Sequence, residues 1–114
     1  MLMRYEEDKN GIWPFPDAPS TMVFSTRDIE EGKSPVLHVT HDLGDGAWQF
    51  RTADAVPLAE GRIAALQEVV FHDPSLLELA DLPLGWMAVR TSIDSPWNRQ
   101  PVLTNAGRIE ACYW

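Results

Sequence analysis

Three histidines and the carboxylates near them are the residues of this chain best suited to chemistry: His38, His41, Asp42, Asp45, His72 and Asp73. Imidazole nitrogens and carboxylate oxygens ligate zinc and related ions, and a histidine beside a carboxylate is the usual pair for proton transfer. Spacing limits how these residues cooperate. His38 and His41 lie three apart in a stretch that reads as a β-strand, so they leave opposite faces and share a metal only if the strand bulges. His41 and His72 form a site if the segment after His72 crosses the sheet; separate hydrogen-bonded histidines are the commoner outcome. Asp42-x-x-Asp45-Gly46 begins like a calcium loop but lacks the alternating oxygens and distal glutamate of an EF-hand, and a turn accounts for it. Gly44-Asp45-Gly46 has no helix behind it to cradle a phosphate. Cys112, the single cysteine, has no activating neighbour in the sequence and reads as structural. With no Ser–His or Cys–His pairing and no converging carboxylates, neither a catalytic residue, a metal nor a cofactor is assigned.

Charge narrows the partner. Of 17 acidic and 9 basic residues, 11 acidic and only three basic ones fall between Asp28 and Asp81, a local net of -8 that equals the net charge of the whole chain. An acidic middle repels phosphate backbones, which excludes general nucleic-acid binding and favours a protein partner with a basic surface. The plainer reading is that the charge keeps a small protein in solution. One cysteine forms no intramolecular disulfide, residues 1–20 lack the apolar run of a signal peptide, and no apolar stretch approaches the ~18 residues needed to span a bilayer. A cytoplasmic protein without a membrane segment is the expectation.

The elements that must position these residues follow from local pattern. At 114 residues the chain suits one core. Met1–Ser20, with Pro14, Pro16 and Pro19, is expected to be an extended arm whose Trp13 and Phe15 dock on a single domain spanning 21–114 or else on a partner. Thr21–Thr26 reads as a strand leading into a turn at Glu30-Glu31-Gly32-Lys33. Val36–Asp42 and Ala47–Ala53 flank an Asp-Gly pair and read as a β-hairpin. Alternation puts Leu37, Val39, His41, Trp48, Phe50 and Thr52 on one packed face, and His38, Thr40, Gln49 and Arg51 on another that is expected to be largely wet. Ile63–Phe71 fits either a strand followed by a helical turn or one continuous helix. Asp73 as N-cap and Pro74 at the first position start a short helix with Leu76, Leu77, Leu79 and Ala80 inward, ended by Pro83 and Gly85. Trp86–Arg90 is a further strand, Ser95–Asn98 a turn, and Gly107–Trp114 an edge strand or a segment that packs back. The fold class is α+β, a mainly antiparallel sheet with a central β-hairpin and one or two short helices packed on one face.

Phe24-Ser25-Thr26, Glu30-Glu31-Gly32-Lys33, Val36–Val39, Asp45-Gly46-Ala47-Trp48-Gln49-Phe50 and the run Asp73–Trp86 together resemble small bacterial proteins of unknown function related to predicted immunity proteins of polymorphic toxin systems. The resemblance covers residues 21–97 and departs from that pattern at Thr52-Ala53-Asp54. It implies an α+β fold and binding to a cognate toxin; it implies no chemistry.

Five tryptophans are many for this length, and Trp serves both cores and interface centres. Trp48 and Trp86 read as core, and Trp97, in a polar turn, as a contact residue. With the loop carboxylates Asp42, Asp45 and Asp54 it forms the expected partner-binding set. The reading is a non-enzymatic acidic protein-binding module, in its specific form an immunity protein that occludes a basic toxin surface. The alternative is a small enzyme or ligand- or metal-binding domain using His41, His72 and nearby carboxylates.

Overall fold

A computed structural model of the chain describes residues 13–52 and 57–102. Six strands form one sheet: β1 (Met22–Thr26), β2 (His38–His41), β3 (Trp48–Arg51), β4 (Gly61–Ala65), β5 (Trp86–Val89) and β6 (Asn98–Pro101), in the order β4-β1-β3-β2-β5-β6. Every pairing is antiparallel except β1 with β3. The sheet is therefore mixed but mainly antiparallel, within a small α+β fold.

Two short α-helices and two 3-10 helices complete it among the described residues: a three-residue turn at Leu58–Glu60 before β4, and a longer one at Pro74–Leu79, hereafter the 3-10 helix. Thr26 stays extended and its hydroxyl accepts from Ile29 N–H, starting α1 (Arg27–Glu30) where a bare turn was expected. Gly32, at φ +71°, ends α1 in the left-handed conformation that glycine adopts freely. Gly61–Ala65 is a strand and α2 (Leu66–His72) follows at once, which settles the Ile63–Phe71 ambiguity in favour of strand then helix. Pro74–Leu79 is capped by Asp73 as expected, but it is a 3-10 helix. Its three-residue period places Leu76 and Leu79, and then Leu82, on one side, and all three are buried.

The core lies between these helices and one face of the sheet. Val23, Val39, Trp48, Phe50, Ala64 and Ala88 meet Ile29, Leu66, Val69, Val70, Leu76 and Leu79 in one cluster. Register accounts for it: Val39 opposes Phe50 and Ala88, and His41 opposes Trp48. Leu37 is half-buried, Trp86 is half-buried where a full core position was expected, and the arm covers the end of the cluster. Phe15 is 5% exposed and meets the Trp48 ring edge-on at 5.4 Å, while Asp17 Oδ1 accepts from Trp48 Nε1.

The centre of the other face is not wet, although Met22 and Ile63 toward one edge and Asn98 and Gln100 at the other are exposed. Thr40, Gln49, Arg51 and His38 are all buried, at 1%, 3%, 4% and 8% exposure. Parity places them correctly but says nothing of their lateral neighbours. β2 and β3 sit in the middle of six strands, and Arg51 Nη2 lies against Thr40 Oγ1 at 3.1 Å and His38 Nδ1 at 3.3 Å. The expected Ser95–Asn98 turn also shifts: Ser95 N–H closes a turn on Ser92 C=O, and Asn98 begins β6. All four β6 residues are exposed, so no hydrophobic alternation marked it. The Gly107–Trp114 segment lies outside the described residues, as do residues 1–12. No helix among the described residues is long and apolar enough to cross a membrane.

Candidate functional site

The β2–β3 connection is built by its own aspartates. Asp42 N–H donates to Ala47 C=O, extending the ladder by one rung, so the loop proper is Leu43–Gly46. Asp42 Oδ1 accepts from Gly44 N–H at 2.7 Å, and Asp45 Oδ1 from Ala47 N–H at 2.9 Å. Gly46 then turns back at φ +76°. These are side-chain turns that aspartate forms readily. Asp42 is 8% exposed, its carboxylate spent on the loop, whereas Asp45 is exposed. Asp54 lies outside the described residues.

Trp97 stands at the opposite end of the sheet. Gly85 and Trp86 adjoin His41 and the loop; the chain leaves β5 at Val89, beside His38, and β6 begins there with Asn98. Trp97 and the Asp42–Asp45 loop are thus a strand length apart and form no common patch. Nor is Trp97 a free contact residue: it is half-buried against the core, with the Arg90 guanidinium 4.1 Å from its ring centroid.

That guanidinium is densely bonded. Arg90 Nε donates to Val36 C=O at 3.0 Å, Nη1 to Ser75 Oγ at 2.9 Å, and Nη2 to Asp73 Oδ2 at 2.6 Å. Asp73 uses its other oxygen to cap the 3-10 helix, accepting from Ser75 N–H. A pairing of two ions, 7% and 5% exposed, with most donors and acceptors satisfied, is how a protein keeps charge inside. Sequence reading recognised Asp73 as a cap and missed Arg90 altogether; a lone arginine closing an apolar strand was the available signal.

An open groove of about 960 Å³ runs beside this pair, lined by His38, Arg90, Trp97, Asn98, Arg99 and Gln100 among others, with no carboxylate among the described residues that line it. Its cations are already engaged. Arg90 is held by Asp73, and Arg99 reaches away to Asp81 Oδ1 at 2.8 Å and Glu78 C=O at 2.7 Å. The pairing with Arg99 holds the Asp81 carboxyl below its ordinary range.

The two histidines of the alternative reading do not converge. His41 stacks on Trp48 at 3.9 Å between centroids, and its Nδ1 faces Leu82 C=O at 2.8 Å. A carbonyl oxygen only accepts, so Nδ1 carries the proton. His72 ends α2, exposed, beside a small cleft at Gly32. The 3-10 helix runs between them, from Asp73 at the Arg90 end to Leu82 at the His41 end. No group of three or more metal-ligating side chains occurs among the described residues.

Comparison with protein-family models, with curated proteins and with solved structures gave no match.

The functional reading therefore rests on surface chemistry. Charge is sorted by face. On the face away from the helices, alternate strand residues are Met22, Phe24, Ile63, Gln49, Arg51, His38, Thr40, Met87, Val89, Asn98 and Gln100, without one carboxylate. The helical layer instead exposes Asp28 on α1, Glu31 just past it, Glu68 on α2, and Glu78 and Asp81 on and after the 3-10 helix. Arg27, Lys33 and Arg99 offset part of this through pairs with Glu60, Glu31 and Asp81. The acidic middle of the sequence is the stretch that builds these helices.

Within that layer Glu30 is strained electrostatically. Burial, then the nearby Glu68 carboxylate, raise its pKa above the ordinary 4.5, while His72 acts the other way. Its Oε2 is buried without a hydrogen-bond partner among the described residues. A raised acid pKa means that the folded chain holds the proton more tightly, so stability falls as pH rises through and above that range. Glu30→Gln is expected to raise the urea midpoint at about pH 7 and to leave it unchanged near about pH 4, where the carboxyl is protonated. Equal effects at both pH values would refute this.

Proposed function

We propose that this chain is a non-enzymatic protein-binding module whose acidic helical layer docks on a basic partner surface, in its specific form an immunity protein that neutralises a toxin by covering that surface. The observation that carries the reading is the sorting of charge: exposed carboxylates cluster over α1, α2 and the 3-10 helix, and the opposite sheet positions hold none. A one-sided field of this kind steers a cationic partner to one face and raises its association rate. The kind of partner comes from the resemblance of residues 21–97 to small bacterial proteins of unknown function that are themselves related to predicted immunity proteins. The central hairpin serves as scaffold, and Asp45 at its loop adds a carboxylate at one end of the surface. Asp42 and Trp97 contribute by holding the loop and the β5–β6 end in shape.

The test is binding to the protein encoded beside this chain. Affinity should fall steeply as salt rises from about 0.05 to 0.3 M, because exposed charges are screened over that range. Asp28→Lys with Glu78→Lys should slow association about tenfold or more at low salt and leave the thermal midpoint within a few degrees. Binding indifferent to salt and to both substitutions would end this reading.

A further inference from the structure

We propose that two copies of this chain pair through β4, antiparallel and symmetric about Ile63. The sheet has two outer strands, β4 and β6, and their hydrogen-bond phase sets them apart. Val102 N–H donates to Gly85 C=O, which turns Gln100 and Asn98 toward β5 and Arg99 and Pro101 outward. Pro101 has no N–H to offer at the outer edge, and an outward proline is a recurrent block to strand addition.

β4 has the opposite character. Leu66 N–H donates to Thr21 C=O, so Ala64 and Arg62 bond inward to β1, and Gly61, Ile63 and Ala65 present their backbone outward. Two of these positions are engaged at home: Arg62 Nη1 donates to Gly61 C=O at 2.7 Å, and Ala65 N–H donates to Glu68 Oε1 at 3.4 Å. Ile63 has neither cover. Its N–H and C=O have no partner among the described residues, and its side chain is 56% exposed.

An antiparallel two-fold about Ile63 uses the uncovered Ile63 groups directly, and the next rungs once Arg62 and Glu68 release Gly61 C=O and Ala65 N–H. The Ile63 N–H of each copy meets the Ile63 C=O of the other, the two isoleucine side chains lie side by side on the carboxylate-free face, and Gly61 falls opposite Ala65. Arg62, which sits at the Gly61 end, then comes beside Glu68 of the second copy, and symmetry makes that ion pair twice. A chain of net charge -8 repels its own copies over most of its surface, and this edge is where opposite charges meet. The strand is five residues long and continues directly into α2, so the interface is short and the dimer depends on concentration.

Sedimentation velocity on the full chain tests this. The mass should rise from 12.8 kDa toward twice that value as concentration climbs from about 5 µM to about 1 mM. The Ile63 amide, unbonded in the single copy, should become protected from hydrogen exchange over the same range. Ile63→Pro removes the outward N–H without touching the β1 ladder and should abolish the dimer. Glu68→Arg should weaken it about tenfold, and adding Arg62→Glu should restore it. A constant 12.8 kDa, a dimer whose Ile63 amide still exchanges fast, or a dimer that survives in folded Ile63→Pro overturns the proposal. If Ile63→Pro fails to fold, the charge exchange decides, and failure of the second substitution to restore association overturns it equally.

Discussion

Replacing Arg90 with alanine should cost about 3–5 kcal/mol of unfolding free energy, the penalty for leaving a buried carboxylate without its counter-charge. Asp73 has no route to solvent that would soften this, its side chain being 6% exposed, and the same substitution strands Val36 C=O, while Ser75 Oγ keeps only its bond to Asp73 Oδ1. A domain of this size holds about 5–15 kcal/mol in all, so the loss is a large share of its stability. Thermal unfolding should move down by on the order of 15–30 °C. Arg90→Lys should recover only part, since a single ammonium reaches Asp73 or Val36 but does not span both. The double variant Asp73→Ala with Arg90→Leu should lose less than the two single losses added together, because it removes both charges at once. An Arg90→Ala protein within about 1 kcal/mol of the parent would show that Asp73 finds another partner.

Trp48→Ala should be comparably severe, about 3–5 kcal/mol, the range for truncating a large buried aromatic. The Trp48 ring is fully buried, stacked on His41 at 3.9 Å and on Phe50 at 6.0 Å, with Phe15 against its edge. Its indole N–H also holds Asp17, whose carbonyl in turn accepts from Trp13 Nε1. The expected outcome is a lower urea midpoint and, before global unfolding, faster proteolysis within residues 13–20, because the arm has lost its seat. Trp48→Phe should cost less and keep the arm packed. Cleavage of the arm at the parent rate in Trp48→Ala would show that Trp48 does not anchor it.

The contrast between Trp48 and Arg90 shows what local pattern conveys. Trp48, Phe50 and Val39 were placed on the packed face by alternation alone, because a period of two is dictated by the backbone. The Asp73 cap and the inward leucines were equally plain, although a 3-10 period replaced the expected α-helical one. Strand neighbours are another matter. That β1 lies beside β3, that β2 and β3 are flanked on both sides, and that Arg90 reaches Asp73 across 17 positions are products of tertiary assembly. The wet face expected for Thr40, Gln49 and Arg51 failed for this reason, and so did the grouping of Trp97 with Asp42. β6 was illegible because an edge strand of Asn-Arg-Gln-Pro buries nothing. The acidic middle was evident as composition, but its gathering over one layer required the helices to be placed.

The parallel contact between β1 and β3 bears on how the chain reaches this state. β1 is the first of the described strands, yet it sits between β3 and β4, so each of its two ladders waits for a segment made later and the second only closes once β4 has left the ribosome. Neither a leading fragment ending before Gly61 nor a trailing one starting after Thr26 contains all three of β4, β1 and β3. Such interleaving of early and late segments predicts slow, all-or-none folding and no stable truncation product, so that a nascent β1 needs shelter until its neighbours arrive.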